Sequence, residues 1–222
     1  MMRVVRGGWR REQAPVSWTD PVSWTNPATS YIHYAMQQTN TTQILDTGEA
    51  GLNLHSTFMP SVGSGPVRFE SGTNENGRIT YAYRFNGANR FKTTEAAGLD
   101  LNSSVTVSCW VYMRSLPVSG DAMNAVSKTF QYVLFMDNGL LGTGNTIKGA
   151  RNNGSAWQYA SCDMIPKDQW VHLTRVFDGS TLGLTVYTNG LLAGTATATG
   201  SPWDLGQGLG IGAYRDWETE LS

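Results

Sequence analysis

Lysine is scarce in this chain. Of 16 cationic residues only 4 are Lys and 12 are Arg, and against 17 acidic residues the net charge is −1. That balance excludes a nucleic-acid binder working through phosphate neutralisation, which needs a basic face. Charged residues of both signs make up only 15% of the chain. Cysteine is almost absent: Cys109 and Cys162 cannot by themselves build a disulfide framework or a zinc site, and they read as two buried thiols. No apolar run approaches the ~18 residues that a membrane-spanning helix needs, which excludes membrane insertion by a helix. The opening stretch Met1–Arg11 carries charges but no apolar core, so it does not read as a secretory signal. The expectation is a fragment, a cytoplasmically assembled virion protein, or a protein exported by another route.

What is abundant points to strands. Gly, Ser, Thr and Asn total 81 residues, and 40% of the chain is hydrophobic, with 24 aromatics. Turn formers, β-branched residues and aromatics favour an all-β protein, and this apolar content can bury a core.

Residues 1–42 differ from the rest. Arg3, Arg6, Arg10 and Arg11 crowd the first eleven positions. A direct repeat follows, Val16-Ser-Trp-Thr-Asp-Pro21 and Val22-Ser-Trp-Thr-Asn-Pro27. Each proline ends a regular element, and two copies of six residues do not make a solenoid. We read 1–42 as an extended arm or linker, with Trp18 and Trp24 docked on the domain that 43–222 forms.

From Gln43 onward, short strands alternate with Gly, Asn and Asp turns. Ile79–Asn86 alternates and breaks at Gly87. In Ser104–Arg114, Val105, Val107, Cys109 and Val111 share one face, and Thr106, Ser108, Trp110 and Tyr112 the other. Large residues on both faces predict a central strand. Tyr132–Met136 and Trp170–Phe177 read as strands closed by Asp137-Asn-Gly139 and Asp178-Gly179. Leu182–Thr188, Asn189-Gly190 and Leu191–Thr195 predict a hairpin with a type I′ turn, since both central residues must take φ > 0. Such spacing without a convincing helix indicates a sandwich or barrel.

Five segments in order resemble a known family. They are Tyr83-Arg-Phe-Asn-Gly87 with Leu99-Asp-Leu101, Ser104–Tyr112, Trp170–Gly179, Leu182–Gly190, and Leu209-Gly-Ile-Gly-Ala213. Together with the preamble Ile44-Leu-Asp-Thr-Gly48, they resemble laminin-G-like jelly-roll domains of the concanavalin A-like lectin/glucanase superfamily over roughly 43–215. The resemblance implies an all-β, two-sheet antiparallel jelly-roll sandwich with one concave sheet. It also implies a final strand that the segment after Ala213 does not supply, leaving an incomplete C-terminal strand and Tyr81–Phe85 as an open edge prone to self-association. Residues 215–222 are expected to be poorly ordered and solvated. The disulfide of the related pentraxins is not carried over, because the partner of Cys109 would fall near Thr174.

The superfamily includes glycoside hydrolases with Glu-x-Asp-x-Glu on one strand. The comparable stretch here, Asp216-Trp-Glu218-Thr-Glu220, has another order of acids and sits in the last seven residues. A terminus cannot hold two carboxyls at a fixed separation. The pairs Asp163 with Asp168 and Asp46 with Glu49 show no shared face. Gly-x-Ser-x-Gly is missing, the three histidines do not cluster, and His172 reads as structural. No enzyme is expected.

Relatives hold Ca²⁺ at a sandwich rim through Asp, Asn and backbone oxygens. By that resemblance Asp137, Asn138 and Asp163 are the candidate ligands, the alternative being plain turn residues. Aromatics are the other resource, because a sugar ring stacks its apolar face on an aromatic one. Trp110 and Trp170 read as packing residues. Trp157 and Tyr159, following the polar loop Arg151-Asn-Asn-Gly-Ser155, and Trp203 in a loop are the candidate ligand contacts, with Asn152 and Asn153 beside them. The function expected is a non-catalytic binding or adhesion module for a glycan or cell-surface ligand, placed on a virion or extracellular surface, with a tail-fibre component as one setting. The alternatives are a polysaccharide-cleaving glycoside hydrolase and a structural spacer in a larger assembly.

Overall fold

The computed structural model describes residues 2–6, 30–34, 43–44, 54–58, 67–73, 79–85, 89–95, 99–101, 104–142 and 144–212. They form sixteen strands and, among the described residues, no α-helix. The fold is an all-β, two-sheet antiparallel jelly-roll sandwich.

Six strands make sheet A: β1 (Met2–Arg6), β2 (Ser30–Tyr34), β8 (Val105–Tyr112), β13 (Trp170–Asp178), β14 (Gly183–Thr188) and β15 (Leu191–Thr197). Their order is β15-β14-β13-β8-β1-β2. Eight make sheet B: β3 (Gln43–Ile44), β4 (Leu54–Phe58), β7 (Asn89–Lys92), β9 (Asp121–Lys128), β10 (Tyr132–Asn138), β11 (Asn145–Asn152), β12 (Trp157–Asp163) and β16 (Leu209–Ile211). Their order is β12-β11-β10-β9-β16-β7-β4-β3. The remaining pair, β5 (Val67–Thr73) and β6 (Ile79–Arg84), forms a separate two-stranded ribbon.

The alternation in β8 is realised. Val105, Val107 and Cys109 are buried, and Leu173 and Phe177 of β13 face the same core. Tyr132, Leu134 and Met136 of β10 meet them from sheet B. The core thus sits between the sheets, where burying an aliphatic or aromatic side chain stabilises by about 1.5–3 kcal/mol. β14 and β15 are joined by the expected two-residue turn. Thr188 pairs with Leu191, and Asn189 and Gly190 have φ of 49° and 78°.

Two expectations are corrected. Trp110 and Trp170 are not core residues. They stand half-buried on the outer face of sheet A, because β8 and β13 turn Val105, Val107, Cys109, Val171 and Leu173 inward. The stretch at Tyr81–Phe85 is also not a strand of either large sheet, although in its two-stranded ribbon β6 remains an edge. β6 pairs with β5, and the flank of β8 is taken by β1, whose Val4 lies opposite Val107. β1 and β2 belong to the segment read as an arm; Trp18 and Trp24 lie outside the described residues, as do Asp216, Glu218 and Glu220. The two thiols are free. Cys109 is buried in sheet A and Cys162 half-buried in sheet B, and burial pushes them up to about 12 and about 11.

Candidate ligand-binding face

Sheet B has a second face, turned away from the core. Cross-strand register puts Ser127, Val133, Ala150 and Tyr159 in one row across β9 to β12. The next row is Asn124, Phe135, Lys148 and Ser161, and the third is Ala122, Asp137, Thr146 and Asp163. A shallow hollow of ≈ 20 Å³ opens on this face. That is room for about one water-sized group. Its floor is Ala122, Val133 and Phe135, its polar groups are Asn124, Ser127 and Thr129, and its walls are Leu140, Leu141 and Trp157.

One ion pair holds the leucine wall. Asp137 is fully buried at the end of β10 and lies 2.5 Å from Lys148 Nζ on β11. Its Oδ1 accepts the amides of Leu140 and Leu141 at 3.0 and 3.2 Å. Lys148 also donates to the Leu141 carbonyl and lies 4.5 Å from the centre of the Tyr159 ring. Tyr159 is therefore packed under this loop, beside the hollow rather than in it.

The opposite rim is aromatic. Phe130, in the short connection between β9 and β10, lies between Trp157 and Trp203, with ring centres 5.2 and 4.9 Å away. Its φ is 66°, a left-handed conformation that strains a bulky residue. Trp203 is 43% exposed. It is brought in by its backbone, whose amide donates to the Asn152 carbonyl at 2.8 Å. Trp157 and Trp203, far apart in sequence, thus share one rim through a residue that the sequence did not single out. Thr129-Phe130-Gln131 carries no turn signature, so nothing in it announces a loop.

Asn152 and Asn153 have another task. Asn152 Oδ1 accepts the Gly154 amide at 2.7 Å, and Asn153 Oδ1 accepts those of Ser155 and Ala156, each at 3.0 Å. Asn153 Nδ2 donates to Thr199. Both side-chain carbonyls are engaged in shaping the β11–β12 loop, as short polar side chains do in turns.

The three residues proposed for Ca²⁺ do not converge. Asp137 has both oxygens engaged by Lys148 and the loop amides, and Asn138 donates to the Pro117 carbonyl at 2.7 Å. Asp163 is exposed in the same row as Asp137 but two strands away, roughly 10 Å at normal strand spacing. Ligands of one Ca²⁺ all lie at about 2.3–2.6 Å from it. Among the described residues a different trio meets, Glu95, Asp100 and Asp204, with oxygens within 4.8 Å of one another. A cation already stands among them: Lys128 Nζ, fully buried, lies 3.3, 2.9 and 3.3 Å from the three. Burial raises the Glu95 carboxyl above its usual range. Burial also pushes up on Asp204, but the Gly206 amide and Lys128 outweigh it and hold Asp204 below.

Comparison with known proteins agrees with this architecture. The family model described as the concanavalin A-like lectin/glucanases superfamily matches residues 85–221. Domain 4 of AbnA, a GH43 extracellular arabinanase from Geobacillus stearothermophilus solved with arabinotriose, is 17% identical over 82% of each chain, with a TM-score of 0.58. The binding domain of botulinum neurotoxin DC, in complex with rat synaptotagmin II, is 11% identical over 83% of this chain and 44% of that one, at 0.51. A structure of botulinum neurotoxin type C, whose cell entry is described as dependent on interaction with two ganglioside molecules, is 13% identical over 82% and 42%, also at 0.51. The chain spans less than half of these neurotoxin chains, and at such identities the likeness is one of fold. No curated protein matches the sequence.

Proposed function

The chain belongs to the concanavalin A-like lectin/glucanases superfamily, and from there we propose that it is a non-catalytic module binding glycan on the outer face of sheet B. The observation that carries this reading is the hollow walled by Trp157, floored by apolar residues, supplied with Asn124, Ser127 and Thr129, and flanked through Phe130 by the exposed Trp203. Sites for small ligands pair apolar and aromatic walls with a few polar groups that fix orientation. The notch is too small for a sugar ring. It suits a single hydroxyl or hydroxymethyl group while the ring lies on Trp157 or Trp203. The arabinotriose complex of the AbnA domain and the ganglioside dependence described for neurotoxin type C support glycan as the ligand class.

Hydrolysis is outside this reading. Glycosidases flank the scissile bond with two carboxyl groups about 5–9.5 Å apart. None of the residues lining the hollow is acidic, and Asp137 beside it is held by Lys148. The role is attachment, and the chemistry of the hollow does not depend on whether a virion or a cell displays it.

The test is a glycan array with and without Ca²⁺, followed by calorimetric titration of each hit and of arabinotriose. Wild type should bind at least one glycan, and Trp157→Ala should weaken that binding tenfold or more. Binding that survives in Trp157→Ala but vanishes in Trp110→Ala would place the site on the other sheet. No binding to any glycan would end the proposal.

A further inference from the structure

The two largest fully buried side chains of the described residues are arginines. β11 sends Arg151 and β13 sends Arg175 into the space between the sheets, at 1% and 0% exposure. Two other buried cations have carboxylate partners: Lys128 has Glu95, Asp100 and Asp204, and Lys148 has Asp137. Among the described residues the two arginines have none. Arg151 Nη2 donates to the Gly200 carbonyl at 2.7 Å, but its Nε and Nη1 are buried without an acceptor. Arg175 leaves Nε, Nη1 and Nη2 all unpartnered. Both guanidinium carbons lie against one ring, 4.6 and 5.8 Å from the centre of Phe177. An aromatic face offers a cation some attraction but no lone pair.

An unpaired buried charge costs several kcal/mol, and an unmet buried donor adds to that. Neutralisation does not relieve it. Burial, with the charge of Arg151 added, brings Arg175 down only to about 9, so it is still a cation at neutral pH. Two like charges near one another, with five donor nitrogens lacking acceptors, need a negative ion.

We propose that Arg151 and Arg175 together bind a small inorganic anion of halide size within the sandwich, beneath the loop that carries Gly200. A monatomic ion is the simplest occupant, because it accepts from several N–H groups at once and brings no donors of its own; the sandwich is close-packed around the Arg175 stem, where a Cβ built on Gly149 would stand 2.5 Å from Arg175 Cγ and 2.8 Å from Val186 Cγ2. The route in follows from Arg151, whose Nη2 reaches the exposed Thr199–Ser201 stretch. The proposal is independent of the glycan reading.

The test uses the full chain, dialysed into sodium gluconate and titrated with chloride or bromide at constant ionic strength. An ion that binds only the folded state raises the melting temperature with the logarithm of its concentration. Wild type should gain several degrees. Arg175→Met keeps the bulk but removes one guanidinium, and its melting temperature should not respond. An equal rise in that variant would assign the effect to the solvent and overturn the proposal. Should Arg175→Met not fold, bromide-soaked wild-type crystals decide. An anomalous peak within hydrogen-bond reach of both guanidinium groups supports the site, and its absence there, or a melting temperature equal in chloride and gluconate, refutes it.

Discussion

On the outer face of sheet A, Trp110 lies against His172 with ring centres 5.2 Å apart, and Tyr112 against Trp170 at 5.5 Å. On the outer face of sheet B, Trp157 and Trp203 flank Phe130 at similar distances. The two surfaces are alike in aromatic content and differ in relief. β8 and β13 are neighbours in register, so His172 stands opposite Trp110 and Trp170 opposite Tyr112, and each ring fills the space beside the other. Sheet B carries the Leu140–Leu141 loop over its face, and a hollow remains between that loop and Trp157. Exposed aromatic area is therefore a poor guide to a site. What distinguishes sheet B is a recess with polar groups, held open by an ion pair.

The sharpest way to break this contrast is at that ion pair. Lys148→Met should leave Asp137 buried and uncompensated, a loss of about 3–5 kcal/mol. It should also release the Leu140–Leu141 wall, so glycan binding should fall with stability. Chemical denaturation and titration of the same sample check both. Full stability would mean that the wall is held by packing alone.

Next come the two tryptophans that separate the faces. Trp157→Ala and Trp110→Ala each remove a half-buried indole, and each should cost about 2 kcal/mol, less than the 3–5 of a fully buried one. Only Trp157→Ala should reduce glycan affinity. Equal losses of affinity would erase the distinction between the sheets.

A smaller effect is expected at Phe130. Phe130→Gly relieves a backbone at φ 66° while removing the ring between Trp157 and Trp203. Strain of this kind is worth about 1–3 kcal/mol, comparable to the packing lost, so the melting temperature should move little. Binding should nevertheless weaken several-fold, because Trp203 loses its support. A large drop in stability with binding intact would reverse this reading of the rim.

These residues also show what the sequence makes legible. Strands whose apolar positions alternate, such as β8 and β13, could be read directly, as could the Asn189-Gly190 turn, where side-chain chemistry and backbone demand coincide. β9 (Asp-Ala-Met-Asn-Ala-Val-Ser-Lys) and β11 (Asn-Thr-Ile-Lys-Gly-Ala-Arg-Asn) could not. Both are buried almost throughout, yet their cores use Lys128, Arg151 and a bulge near Ala125, which break the alternation. Trp157 and Trp203 were legible as aromatics beside polar loops. Phe130 was not, because its role comes from a strained loop conformation that no local motif encodes. Asp137 looked like a turn acid available for Ca²⁺; only register reveals Lys148 beside it. The tryptophans of sheet A misled because alternation tells which residues share a face, not which face is the core.

The smallest effect should come from His172, and it tests the sheet A face alone. Burial between Trp110 and the strand pushes its imidazole from the ordinary 6.5 down to about 4. The folded state therefore favours the neutral ring. Below about pH 6.5 the unfolded chain takes up a proton that the folded chain refuses, so this contribution to stability is present above 6.5 and is lost progressively as pH falls to about 4. Below that, both states are protonated and the slope from this residue ends. Carboxylates add their own slope at the acid end, so the comparison that matters is wild type against His172→Gln between pH 7 and 5. The variant should show the shallower fall in melting temperature, by a degree or two, since His172 is only half-buried and solvent screens part of the effect. Glycan affinity, which the proposed site assigns to the other sheet, should follow the same pH course in both proteins. A variant that changes the pH dependence of binding but not of melting would mean that the aromatic face of sheet A takes part in recognition after all.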